Sequence, residues 1–120
     1  MSLDIWGEPT EETTRVCHCC GSEIKEFVNL FDFNITHNLR QMAEEAGCGL
    51  LWDYNIVDKK ASILIEPLNI AINNLKSNPQ KFEEFDSPNG WGTIDTFFPW
   101  LIQLLEKCEE FPDAILGISK

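Results

Sequence analysis

The densest chemical signal in the chain is Cys17-His18-Cys19-Cys20-Gly21. Two cysteines at C-x-x-C spacing can hold a zinc ion from a tight knuckle, and a following glycine helps the backbone turn. A structural zinc needs four ligands, and no second close-spaced pair follows. The remaining donors are His18, Cys19, His37, Cys48 and Cys108. His37 follows a strand that would return beside the knuckle. Cys17, Cys20, His37 and Cys19 therefore form the candidate metal set, with His18 or Cys48 as other choices for the fourth donor. The same cysteines fit two further readings. A redox pair is activated at a helix N-terminus or by positive charge, whereas this one lies between strands with Arg15 as the only basic residue close before it. An inert, partly buried hairpin corner needs no ion.

Other chemistry is hard to assemble. His18 and His37 are the only imidazoles, and neither Ser22 nor Ser62 has a Gly-x-Ser-x-Gly setting. No D-x-[DN]-x-[DN]-G calcium loop and no glycine-rich phosphate loop occurs. Glu44 and Glu45, like Glu83 and Glu84, are sequence neighbours, and adjacent carboxylates point to different sides of a helix. No residue is assigned a catalytic role. The expectation is a non-enzymatic protein; the alternative is a metal-dependent enzyme using the cysteine cluster.

Asn89-Gly90-Trp91-Gly92 is the other distinctive segment. Glycines on both sides of Trp91 permit a close backbone approach, and Asn89 tolerates unusual dihedrals. Trp91 reads either as an interface anchor, with Asn89 beside it, or as a plug between the sheet and the last helix.

Charge narrows the partner. Twenty acidic residues against nine Lys plus Arg give a formal net charge of −11. Such a chain is repelled by nucleic-acid phosphates and by anionic membrane surfaces, so neither is an expected partner. From Phe82 to Asp113 the sequence holds Glu83, Glu84, Asp86, Asp95, Glu106, Glu109, Glu110 and Asp113 against Lys107 alone. That field suits a basic protein surface, with Glu106 and Glu110 as candidate interaction residues. The competing reading is plain solubility. A self-associating accessory protein, dimerising through exposed Trp or Phe, is the remaining alternative.

The elements that must position these residues form an α+β pattern, expected as a small antiparallel sheet with helices packed mainly on one face. One domain over residues 1–120 is expected from the length. Strands are expected at Ser2 to Trp6, Thr13 to Cys17 and Glu26 to Thr36, where Phe27, Phe31, Phe33 and Ile35 share a parity that Asn29 breaks. After Thr36 the period lengthens: Leu39, Met42, Ala43 and Ala46 form a helical stripe that ends at Gly47. Further helices are expected from Ser62 to Ser77, from Asn78-Pro79, and from Thr93 to Glu110. Pro112 stops the last of these, and Ala114 to Ile118 closes as a strand. Cys48 and Cys108 are expected to be small buried hydrophobes. An odd cysteine count, and a start without a basic or long apolar region, point to a reducing, cytoplasmic setting.

The stretches Asn34-Ile35-Thr36-His37-Asn38-Leu39, Ile65-Glu66-Pro67-Leu68 and Asn89-Gly90-Trp91-Gly92-Thr93, with Cys108 and Phe111-Pro112-Asp113-Ala114, resemble an uncharacterised family of small bacterial and phage-encoded proteins. The resemblance spans most of the chain. It implies a shared fold and a cytoplasmic, phage-related setting, and it names no reaction.

Overall fold

The structure is a computed structural model that describes residues 2–10, 13–16, 23–26, 29–86, 90 and 92–120, with 13–16 and 23–26 described as backbone. Among the described residues five strands and four helices follow in the order β1 (Ser2–Glu8), β2 (Thr13–Val16), β3 (Glu23–Glu26), β4 (Phe31–Thr36), α1 (Arg40–Ala46), α2 (Ile65–Ser77), α3 (Pro79–Glu83), α4 (Ile94–Glu110) and β5 (Ile115–Ser119). Short 3₁₀ turns lie between β4 and α2.

The main sheet is antiparallel, in the order β4-β1-β5. Ile5 stands opposite Phe33 on one side and Ile118 on the other, and Gly7 stands between Phe31 and Leu116. Alternation therefore gives the sheet two unlike faces. Leu3, Ile5, Phe31, Ile35, Leu116 and Ile118 are buried in one core with Met42, Leu68, Leu75, Phe97, Leu101 and Leu104 from the helices. On the outer face, exposed Asn34 donates to Asp4 Oδ1 at 2.6 Å and to Ser2 Oγ at 3.1 Å. The architecture is α+β, with the helices against one face of the sheet, as the change of period near Thr36 implies.

Two strand expectations need correction. The second strand does not join the first: β2 pairs antiparallel with β3 in a separate two-stranded ribbon. The long strand also does not run unbroken from Glu26. Glu26 ends β3, and β4 begins at Phe31, after exposed Asn29 and a bend at Leu30. Asn29 breaks the apolar parity, so the main sheet starts where Phe31 restores it.

The helices keep close to their sequence signals. Thr36 Oγ1 accepts from the Asn38 amide at 3.3 Å and caps the turn that leads into α1. Gly47 ends α1 at φ 110°. Pro67 falls in the first turn of α2 and Pro79 opens α3, where a missing amide costs least. In α4, Ile94, Phe97, Leu101, Leu104 and Cys108 are buried, and Leu105 packs half-buried beside them. Among the described residues no helix is long and apolar enough to cross a membrane.

Candidate functional site

Three segments distant in sequence meet at one end of the sheet. β1 ends at Glu8, opposite Ile115 of β5, so Pro9 leaves the sheet where Ala114 enters it. The Leu30 amide donates to Gly7 O at 2.7 Å, which ties the start of β4 to the same end. Pro112 stops α4, and a turn closes through the Ala114 amide on Phe111 O at 3.1 Å. Between these segments lies a groove of about 320 Å3, walled by Pro9, Thr10, Leu30, Phe111, Pro112 and Ala114 and rimmed by Glu110 and Asp113.

The rim is acidic and only loosely neutralised. Glu106, Glu109, Glu110 and Asp113 are all exposed. Lys107 Nζ lies 3.3 Å from Glu110 Oε2 and 5.8 Å from the Phe111 ring centroid, and Lys60 Nζ lies 3.5 Å from Asp113 Oδ1. Exposed pairs of this kind are worth about 0–1 kcal/mol, so another cation can replace either lysine at little cost. Glu106 and Glu109 make no ion pair with a described residue. Of the expected acidic interaction residues, Glu110 lines the groove, and Glu106 lies one turn earlier on the same helix.

A second cleft, of about 460 Å3, lies between Arg40, Glu44, Trp52, Tyr54 and Lys120. Arg40, Glu44 and Lys120 already have partners within it. Arg40 pairs with Glu44 at 3.2 Å, and Lys120 Nζ donates to Trp52 O at 2.7 Å while lying 4.6 Å from the Tyr54 ring centroid.

Gly92 meets the Thr36–Leu39 stretch. A Cβ built on Gly92 would lie 3.0 Å from Asn38 Cβ and 3.1 Å from Thr36 Cγ2, so the glycine permits contact between the loop before α4 and the end of β4. Trp100 reinforces this junction. Its indole Nε1 donates to Asn34 O at 3.1 Å, and its ring meets Phe33 edge-on with centroids 6.0 Å apart. Sequence reading passed over Trp100, although its spacing of three from Phe97 places both on one side of α4. Asn89 and Trp91 lie outside the described residues.

Of the candidate metal set, Cys17, Cys19 and Cys20 also lie outside the described residues, as does His18. His37 is half-buried in the turn after β4, and its Nε2 is buried without a hydrogen-bond partner among the described residues. Trp52 meets this imidazole edge-on at a centroid distance of 6.4 Å, and its own Nε1 is likewise buried and unpartnered. Among the described residues no three His, Cys, Asp or Glu side chains gather as a metal cluster. Cys48 and Cys108 are fully buried free thiols, as expected of small hydrophobes, and burial pushes each up to about 12.

No family model, no curated protein and no solved structure matches the chain, so the site is read from its own geometry.

Proposed function

We propose that this protein acts non-enzymatically by binding another macromolecule, a protein with a basic surface. The observation that carries this reading is the placement of Glu106, Glu109 and Glu110 in the last turns of α4. A helix C-terminus already bears partial negative charge, so Glu109 and Glu110 in the last turn each oppose helix stability by about 0.3–1 kcal/mol, with Glu106 one turn earlier. Stability alone favours Lys or Arg at those positions, and only Lys107 supplies one. Charge kept where it weakens the fold fits recognition of a cation. The net charge of −11 extends the same field over the molecule and would steer a basic partner towards it.

The test is capture from a cell lysate on immobilised wild type and on E106Q/E109Q/E110Q, at low and raised salt, with the captured proteins identified. Basic proteins released by salt and lost from the triple variant are the expected result. Capture indifferent to both salt and charge removal would overturn the reading.

A structural zinc on Cys17, Cys20, His37 and Cys19 forms the second part of the proposal. The His37 Nε2, buried with no hydrogen-bond partner among the described residues, favours it, because a ligating imidazole presents such a nitrogen to a metal.

A further inference from the structure

We infer that the groove between Thr10, Leu30 and Phe111–Ala114 takes an extended basic segment of a partner protein, seating one aliphatic side chain between flanking Lys or Arg residues. The inference rests on the reading that the partner is basic, and it adds where and by what the partner is held.

The groove supplies both kinds of contact. Pro9, Leu30, Phe111 and Ala114 give the groove an apolar side, Thr10, Glu110 and Asp113 give it a polar one, and its volume of about 320 Å3 is open to solvent at the rim. That is roughly twice the 150 Å3 or so that holds a benzene-sized group, enough for one branched aliphatic side chain and its backbone. The carboxylates of Glu110 and Asp113 stand at the rim, with Glu106 and Glu109 further along the helix. A side chain that enters is therefore followed by neighbours that meet negative charge. Lys107 and Lys60 hold Glu110 and Asp113 only through exposed contacts of 3.3 and 3.5 Å, which incoming guanidinium groups can replace with bidentate bonds.

Charge selects among occupants. A second copy of the chain brings another −11, and nucleic acid brings phosphates, so both meet repulsion at this rim. A purely apolar segment leaves the carboxylates unanswered. A basic segment with an apolar centre satisfies walls and rim together.

The experiment uses two labelled nonapeptides with Lys and Arg at the flanking positions, one with Leu at the centre and one with Ser, titrated by fluorescence anisotropy at low and raised salt. The wild-type protein is compared with Thr10→Arg, an exposed wall position from which the longer side chain blocks the seat for the central residue. The Leu peptide is expected to bind about tenfold or more tightly than the Ser peptide, as burial of one aliphatic side chain implies. T10R should erase that difference. Amide shifts on wild-type protein, read without any variant, should concentrate at Thr10, Leu30, Phe111 and Ala114. Equal, salt-sensitive binding of both peptides would overturn the groove and leave the acidic recognition reading standing. No binding of either peptide would remove both. Concentration-dependent dimerisation abolished by T10R would give the groove to a second copy and overturn the inference.

Discussion

Asp86 Oδ1 accepts a hydrogen bond from the Ile94 amide at 2.8 Å, so the first turn of α4 is held by a carboxylate eight residues upstream. Thr93 occupies the N-cap position with extended backbone, yet its hydroxyl makes no capping bond and lies instead 3.3 Å from Thr96 Oγ1. The carboxylate thus satisfies an orphan amide at the positive end of the helix dipole. It also ties the turn after α3 to the start of the helix that carries the acidic groove rim.

Removing this bond should destabilise the fold directly. Asp86→Ala is expected to cost about 1 kcal/mol, the usual scale for losing a side-chain cap. Asp86→Asn keeps an acceptor without the charge and should lose only part of that. Urea unfolding of the three proteins checks the order, and an Asp86→Ala midpoint equal to wild type would contradict it.

Two glycines in one loop separate backbone strain from steric contact. Gly90 has φ 79° with nothing within 4 Å of a built Cβ, whereas Gly92 has φ 106° and a built Cβ 3.0 Å from Asn38. Gly90→Ala should cost about 1 kcal/mol from the positive φ alone. Gly92→Ala should cost about 1–3 kcal/mol, because the loop must also part from the end of β4. Equal losses in thermal or urea unfolding would mean that the Gly92 contact carries no energy.

These relationships show where sequence reading succeeds and where it stops. The inward parity of Phe31, Phe33 and Ile35 and the stripe Leu39, Met42, Ala43, Ala46 are local periodicities, and each element appears where its period places it, within a few residues. The pairing of β2 with β3 rather than with β1 is a matter of backbone register that no local period announces. The same holds for the groove: residues 9–10, 30 and 110–114 come together only through strand register. The Asp86 cap and the Trp100–Asn34 bond are likewise tertiary, spanning eight and 66 residues with no repeating pattern to announce them.

The buried thiols make stability fall in alkali. Cys48 and Cys108 are raised from 9.0 to about 12, chiefly by desolvation, with the Glu109 carboxylate adding to the effect at Cys108. The folded state therefore keeps protons that the unfolded chain releases above pH 9.0. The stabilisation is fully present below that pH and is lost as pH rises towards 12, with a limiting slope of about 1.4 kcal/mol per pH unit for each thiol. The double variant Cys48→Ala/Cys108→Ala will be less stable at neutral pH from the cavities it leaves. Its stability should nevertheless decline less steeply above pH 9 than that of wild type. Parallel declines in urea midpoint would show that these thiols do not titrate on unfolding.

His37 decides the zinc proposal, because ligand and bystander predict opposite signs for one substitution. As a bystander, its buried Nε2, without a partner among the described residues, weakens the fold, and replacement by an apolar ring of similar shape is neutral or stabilising. Phe at this position can keep the edge-on contact with Trp52 while removing the nitrogen. As a ligand, the same nitrogen gains a metal bond whose free energy adds to folding, and its loss lowers stability and zinc content together. Protein purified without chelator should carry about one zinc per chain, the stoichiometry of a single four-ligand site. His37→Phe should lower both the metal content and the unfolding midpoint, and C17S/C20S should do the same. Acid should release the metal, since the thiolates and the imidazole must take up protons to let it go. Less than about a tenth of an equivalent in wild type, unchanged in C17S/C20S, with His37→Phe at least as stable as wild type, would leave this imidazole a buried neighbour of Trp52 and end the zinc proposal.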